Sequence, residues 1–322
     1  MISRIVGLRP PRLATAVLVL RVAATSSMTL ALLAGTGTIA TAQVVRPRMD
    51  GAAALRHVER LVAIGPRPAG SAGAAQARAY ITGELKKWGV EVRVQSFDAA
   101  TPHGRLKMAN VIAVIPGKRP EVIVIAGHYD TKFFREFRFV GANDGGSSAG
   151  LLLELARQLA GSKREYTCWI VFLDGEEARE TWTATDSLYG SRHLAADLAR
   201  RHALPRAMIV ADMIGDRDLG IRREAASTGW LTDLVWASAH RLGHGRHFLP
   251  DALAVEDDHA PFLRRGVPAT LLIDFDFPPW HTAQDTLDTI SAQSLQTVGE
   301  VLLHALPAIE TRLGQGSAGA RP

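Results

Sequence analysis

The chain has 322 residues, 47% apolar and 21% charged, an ordinary globular composition that suits one large α/β domain or two small ones. Its net charge of +5 is local, because Arg4, Arg9, Arg12 and Arg21 lie in the acid-free residues 1–42 and removing them leaves 5 − 4 = +1. That excludes a nucleic-acid partner on charge grounds, and the single cysteine, Cys168, excludes intrachain disulfides and thiolate metal clusters.

Residues 1–42 read as an export signal. They have an arginine-bearing start, an apolar stretch through Met28–Ala34, and Ala40-Thr41-Ala42 as a small-residue cleavage site before Gln43. The expected location is therefore exported, periplasmic or secreted; an uncleaved anchor is the alternative and the one route to a membrane. After a short linker over 44–48, helical spacing covers Ala52–Ile64 and Ala72–Trp88, with Gly89 placed to cap the second. Strand-like runs follow at Val90–Phe97, Asn110–Ile115, Val122–Ala126, Trp169–Leu173, Met208–Ala211 and Thr270–Ile273. Helical patterns fall between and after them at Ser147–Leu159, Leu188–Arg201, Trp230–Leu242 and Ser291–Thr311. This alternation predicts a three-layer α/β domain over 50–313, a mixed, mostly parallel central sheet with helices on both faces. Residues 314–322 have the composition of a disordered tail.

The chemistry collects at strand ends. The run Trp169–Leu173 stops at Asp174-Gly175 and then two adjacent carboxylates, Glu176 and Glu177. Such neighbours repel and add nothing to packing, so a compensating charge is expected; with a metal ion, one ligates and the other handles a proton. Val122–Ala126 leads to His128 and Asp130, Met208–Ala211 to Asp212 and Asp216, and Thr270–Ile273 through Asp274 and Asp276 to Trp280 and His281. A fifth group, Gly141-Ala-Asn-Asp144-Gly-Gly, is a glycine-rich turn just before a helix. Open α/β sheets bind ligands beyond the carboxyl ends of their strands, where these groups could converge. Nitrogen and oxygen donors of this kind suit zinc, with cobalt or manganese as substitutes, and three protein ligands leave a position for water or a substrate carbonyl.

The strings Gly-His-Tyr-Asp at 127–130, Gly-Ala-Asn-Asp at 141–144, Asp-Gly-Glu-Glu at 174–177, Asp212 and Trp-His-Thr at 280–282 resemble the zinc-dependent aminopeptidase superfamily. Thr-Lys-Phe-Phe at 131–134, Asp186-Ser-Leu-Tyr-Gly-Ser-Arg-His-Leu194 and the run 257–268 are similar, more narrowly, to the animal-type glutaminyl-peptide cyclotransferases. The resemblance spans about Ile64 to about Leu303 and implies a zinc-exopeptidase-like fold. It implies a zinc held by Asp144, Glu177 and His281, and, in peptidase relatives, a second metal on His128, Asp144 and Asp212. One zinc per chain goes with the cyclotransferase, two with the aminopeptidase. The cyclotransferase resemblance places Asp212, Glu176 and Asp257 in one hydrogen-bonded acidic cluster with Glu176 as the proton shuttle. It also implies Trp182, Phe277 and Trp280 as pocket walls. The activity implied is conversion of N-terminal glutamine of peptides or proteins to pyroglutamate with release of ammonia; hydrolysis of N-terminal residues is the alternative. Two positions depart from the cyclotransferase pattern. Glu256 stands where glutamine is usual, adding negative charge near the substrate amine, and Asn143 is peptidase-like.

Other signals carry less. Gly146-Ser-Ser-Ala-Gly150 fits a serine-hydrolase elbow but follows a turn rather than a strand, so Ser148 is not expected as a nucleophile. His240, His244 and His247 read as surface residues, His259 as a structural hydrogen-bonding partner, and Arg222-Arg223-Glu224 as solvated or ion-paired charges.

Overall fold

The computed structural model describes residues 49–318, and the proposed signal at 1–42 lies outside the described residues. Two helices open the fold, α1 (Gly51–Ile64) and α2 (Ala72–Lys87). Each starts where a side chain satisfies a free backbone donor: Asp50 accepts from the Ala53 N–H at 2.8 Å and Ser71 from the Ala74 N–H at 3.1 Å. Gly89, just past the end of α2, takes the left-handed conformation (φ 70°) that favours glycine.

Strands β1 (Glu91–Thr101), β2 (Gly104–Ile115), β3 (Gly117–His128), β4 (Arg164–Leu173), β5 (Ala207–Asp212) and β8 (Ala269–Ile273) form one six-stranded sheet in the order β1-β2-β4-β3-β5-β8. β1 and β2 pair antiparallel along their whole length and β2 runs antiparallel to β4, whereas β4, β3, β5 and β8 are mutually parallel. Alternate residues of these strands build two cores. Ile123, Ile125, Ile170, Phe172 and Ile209 face α1, α2, α3 (Gly146–Leu159), α5 (Gly229–Arg241) and α7 (Ala292–Ala318). Val124, Ala126, Val171, Leu173 and Val210 face α4 (Tyr189–Arg200) and α6 (Ala260–Leu263). Period-two burial of apolar runs on both faces is what a helix-covered parallel sheet requires. Cys168 sits in this interior, its thiol pushed up to about 12 by burial.

Three short elements fall in stretches the sequence reads as loops or charge runs: α6 and a separate parallel pair, β6 (Ile221–Glu224) with β7 (Phe248–Leu253). The tail is a correction. Helix α7 continues to Ala318, because a helix already packed through Ile309 and Leu313 extends past its last core contact at little cost. Among the described residues, no helix is long and apolar enough to cross a membrane.

Close approach of α1 and α3 brings the helix that follows the Asp144 turn against the sheet. A Cβ at Gly150 would lie 2.5 Å from Val58 Cγ2 and 2.7 Å from the Ala54 carbonyl oxygen. Gly150→Ala is therefore expected to destabilise the protein by about 1–2 kcal/mol in urea unfolding. The clash outweighs the helix-propensity gain of alanine; an unchanged or higher midpoint would count against this packing.

Candidate metal centre and its cavity

The sheet reverses its winding at β3, with β4 on one side and β5 on the other. The crevice beyond these strand ends is the expected ligand site. Gly127 makes the convergence possible, since a Cβ there would meet the Ala211 carbonyl at 2.5 Å and Ser148 Cβ at 2.8 Å. His128 ends β3, Glu176 and Glu177 follow β4, Asp212 ends β5, and His281 follows the loop after β8.

Two ligand sets form there and share Asp144. In one, His281 Nε2 lies 3.1 Å from Glu177 Oε1 and 3.3 Å from Asp144 Oδ2. In the other, His128 Nε2 lies 3.0 Å from Asp212 Oδ1 and 3.2 Å from Asp144 Oδ1. The donor atoms within each set lie within 4.8 Å of one another. All are imidazole nitrogens or carboxylate oxygens, a donor chemistry that fits a zinc-type cation. His281 is held with φ at 55°, a left-handed backbone that costs a non-glycine residue roughly 1–2 kcal/mol and aims its ring at the site.

Carboxylates behind the ligands orient them. Asp130 accepts from the backbone N–H groups of Glu176 at 3.1 Å and Glu177 at 3.4 Å, and lies 3.5 Å from His128 Nδ1. Asp285 accepts from the N–H groups of Asn143 at 2.7 Å and Asp144 at 3.0 Å. Ser148, buried at the start of α3, donates its hydroxyl to Asp212 at 3.2 Å, a supporting role that leaves no exposed nucleophile.

Positive charge enters from Lys132 and Arg67. Lys132 Nζ lies 3.7 Å from Glu177 and donates to the Ala178 carbonyl at 3.0 Å. Arg67 is fully buried. Its guanidinium donates to the carbonyls of Leu61, Gly65, Tyr129, Val140 and Gly141 at 2.7–3.3 Å, tying α1 and the end of β3 to the turn that carries Asp144. Neither Arg67 nor Asp285 was singled out by sequence reasoning. The available signal was Pro66-Arg67-Pro68, an arginine fixed between two prolines, and an aspartate four residues after His281.

Burial and crowding shift these groups. Burial alone lowers the His281 imidazole, but hydrogen bonds from Asp144 and Glu177 outweigh it and push the group up to about 9. Burial and the Asp144 charge raise Glu177 to about 7 against the opposing His281. Burial, with Asp212 nearby, likewise raises Asp257 to about 7. Glu176 rises well above the ordinary carboxylate range. Burial dominates and His128 opposes it, while Glu177, Asp257 and Asp258 raise it further. Burial lowers Arg67 to about 10, with Asp285, Asp130 and Asp144 holding it up.

Asp144, Glu176, Glu177, Asp212, Asp257 and His281 line one cavity of about 610 Å³. His128 does not line it and is 1% exposed. The hydrogen-bonded cluster expected of Glu176, Asp212 and Asp257 is a correction: all three line the cavity and Asp257 acts on Glu176 through its charge, but among the described residues no side chain hydrogen-bonds the Glu176 carboxyl, although it is only 7% exposed. Trp182 and Trp280 form the walls, and Trp280 stacks on the His281 ring at 4.2 Å. Phe277, expected as a third wall, is a correction. It packs in the α4-side core while Phe275 faces the cavity and contacts Trp280 at 4.8 Å, the extended loop turning alternate side chains opposite ways. Glu256 is at the rim, where its carboxylate accepts from Trp182 Nε1 at 3.2 Å and from Arg264 at 2.8 Å. The Arg264 bond, followed by the one from Trp182, keeps it below the usual carboxylate range, so its extra charge is compensated. His259 Nε2 donates to the Glu224 carboxylate at 3.0 Å, the structural pairing expected of it.

A parallel α/β sheet with histidine and carboxylate ligands gathered at its switch point defines a metal-site enzyme of exopeptidase type. Residues 110–306 match peptidase family M28, and the chain belongs to that family. It is 34% identical over 268 residues to the glutaminyl-peptide cyclotransferase-like protein of Bos taurus, covering 73% of this chain and 70% of that one. Its structure is similar to that of an Acidobacteriales bacterium glutaminyl cyclase, with TM-score 0.79 and 44% identity over 85% of this chain and 99% of the other. A leucine aminopeptidase precursor from Bacteroides thetaiotaomicron is similar at TM-score 0.75 and 26% identity, over 81% and 98% of the two chains.

Two outcomes follow from this geometry. Arg67→Met strands buried carbonyls and leaves buried carboxylates without their counter-charge, so a loss of about 3–5 kcal/mol is expected in chemical unfolding. Arg67→Lys should recover only part, because one ammonium cannot reach all five carbonyls. For the metal, the ligand histidine must lose its proton. With metal-free His281 at about 9, protons compete at every lower pH. Apparent zinc affinity should fall about tenfold per pH unit between about 9 and 7 and more steeply below about 7, where Glu177 also takes up a proton, read by competition with a chromophoric chelator. Affinity that stays flat would contradict the assignment.

Proposed function

We propose that the protein is a zinc-dependent glutaminyl-peptide cyclotransferase that converts N-terminal glutamine to pyroglutamate and releases ammonia. The observation that carries this reading is Glu176: a buried carboxyl in neither ligand set, without a side-chain hydrogen-bond partner among the described residues, facing the cavity beside the Asp144–Glu177–His281 set. The similarity to glutaminyl cyclases over most of the chain supports it.

One zinc is favoured, because Asp144, Glu177 and His281, which would hold it, all line the cavity, whereas His128 of the other set is sealed from it. Zinc bound there supplies Lewis-acid polarisation of the glutamine γ-carboxamide. Trp182, Trp280 and Phe275 enclose the glutamine side chain and exclude water. Glu176 takes a proton from the neutral α-amine as its nitrogen bonds to the γ-carboxamide carbon. It returns that proton to the departing nitrogen as the carbon–nitrogen bond breaks, so ammonia leaves and the carboxylate is regenerated. Asp257, at the same cavity, helps keep Glu176 basic enough to accept the proton. The reading extends to an exported enzyme on the strength of residues 1–42.

Aminopeptidase activity is the second reading, because the His128–Asp144–Asp212 set could hold another metal. The test is incubation with a glutamine-initiated peptide and mass spectrometry beside an uncatalysed control: loss of ammonia supports the cyclotransferase, loss of a whole residue the peptidase. Glu176→Gln should reduce turnover by at least about a hundredfold with zinc content near wild type, while Glu177→Gln loses zinc. Near-normal turnover in both variants would sink the role assignment.

A further inference from the structure

A second groove, of about 590 Å³, adjoins the reaction cavity. Lys132 lines both. The two are also joined through aromatic rings: Phe134 meets the His281 ring edge-on at 5.7 Å and stacks on Phe137 at 4.5 Å, and both phenylalanines line the groove. Phe133 is 40% exposed there, an uncommon state for a large apolar side chain, with the Arg179 guanidinium 5.3 Å above its ring.

The groove is one-sided in charge. Arg135 and Arg138 line it, both exposed, and no acidic residue does among the described residues. The nearest acid in sequence, Glu136, turns its carboxylate back to accept the Arg135 backbone N–H at 3.1 Å. An apolar floor with cationic rims, next to the reaction cavity across Lys132, fits an extended peptide carrying acidic side chains. An extended chain advances ~3.4 Å per residue, and the Lys132 side chain common to both linings sets the groove beside the cavity that holds Glu176.

We propose that the groove formed by residues 132–139 receives the substrate chain beyond its N-terminal glutamine, and that Arg135 and Arg138 select acidic residues within the first few positions. This rests on the cyclotransferase reading and names the class of peptide it serves. Exposed pairs of this kind change affinity modestly and are screened by salt.

The test compares Gln-Ala-amide, Gln-Ala-Asp-Asp and Gln-Ala-Lys-Lys with the wild type and an Arg135→Ala/Arg138→Ala double variant. At low salt the wild type should show kcat/KM about three- to tenfold higher for the acidic than the basic tetrapeptide. The double variant should bring the ratio close to one with the dipeptide unchanged, and added salt should do the same in the wild type. A ratio near one in the wild type, or a double variant that keeps the preference, overturns the proposal. Titration calorimetry with pyroglutamyl-Ala-Asp-Asp and its lysine counterpart reads the groove without turnover. The acidic preference retained there while no glutamine peptide releases ammonia overturns the cyclotransferase reading alone; equal binding overturns the groove.

Discussion

Repulsion among buried carboxylates is the constraint on which the rest of this structure depends. Asp130, Asp144, Glu176, Glu177, Asp212, Asp257, Asp258 and Asp285 are all buried around one crevice. At an effective dielectric near 20, each like-charge pair at about 4 Å costs roughly 4 kcal/mol if both partners ionise. The site responds in two ways. Some groups become more basic: Asp257 and Asp285 rise to about 7, and Glu176 rises above the ordinary carboxylate range, which suits a carboxylate that must accept a proton. Others are balanced by fixed cations, Arg67 beneath the Asp144 turn and Lys132 beside Glu177, and by the imidazoles of the two ligand sets. A divalent cation would meet the remaining negative charge, so metal binding and the integrity of this crevice are one electrostatic problem.

The sheet topology concentrates that charge. Strands β4, β3 and β5 are parallel neighbours, so the three carboxyl ends that carry Glu176, His128 and Asp212 must face one crevice. Adjacent residues then take separate work. Asp130 receives the backbone N–H groups of both Glu176 and Glu177, which holds the strand-end turn. From that shared anchor the Glu177 carboxylate reaches His281 and the Glu176 carboxyl stays unpaired at the cavity. The proposed division between ligand and base comes from a turn, not from any chemical difference between two glutamates.

Much of this was legible in the sequence because it depends on periodicity. Apolar runs such as Trp169–Leu173 and Val122–Ala126 are strands that the sheet buries, and the polar residue that ends each run marks the crevice. What escaped has a different physical basis. Arg67 bonds only to backbone carbonyls, which have no sequence identity, so nothing in the residue pattern names its partners. Asp285 likewise acts on backbone N–H groups. The β6–β7 pair is short and arginine-bearing, with Arg222 and Arg223 neutralised by Asp276 and Asp233, so its pattern reads as charge rather than strand. Phe275 and Phe277 are alike in composition and spacing. Only the loop's direction after β8 decides which one faces the cavity.

The remaining chemical question is which nucleophile meets Glu176, and the walls bear on it. A hydrolase needs a water held beside the base, whereas a cyclising enzyme needs the substrate amine there and water kept out. Trp182, Trp280, Phe275 and Val255 make the cavity lining predominantly apolar around a few carboxyl groups. Trp280 is fixed by stacking on the ligand His281 itself, so the ring that shapes the pocket and the ring that would hold the metal move together. Coupling of this kind fixes the pocket wall relative to the metal position through one loop. The same loop meets Phe134 from the other side, which puts His281 between the reaction cavity and the basic groove.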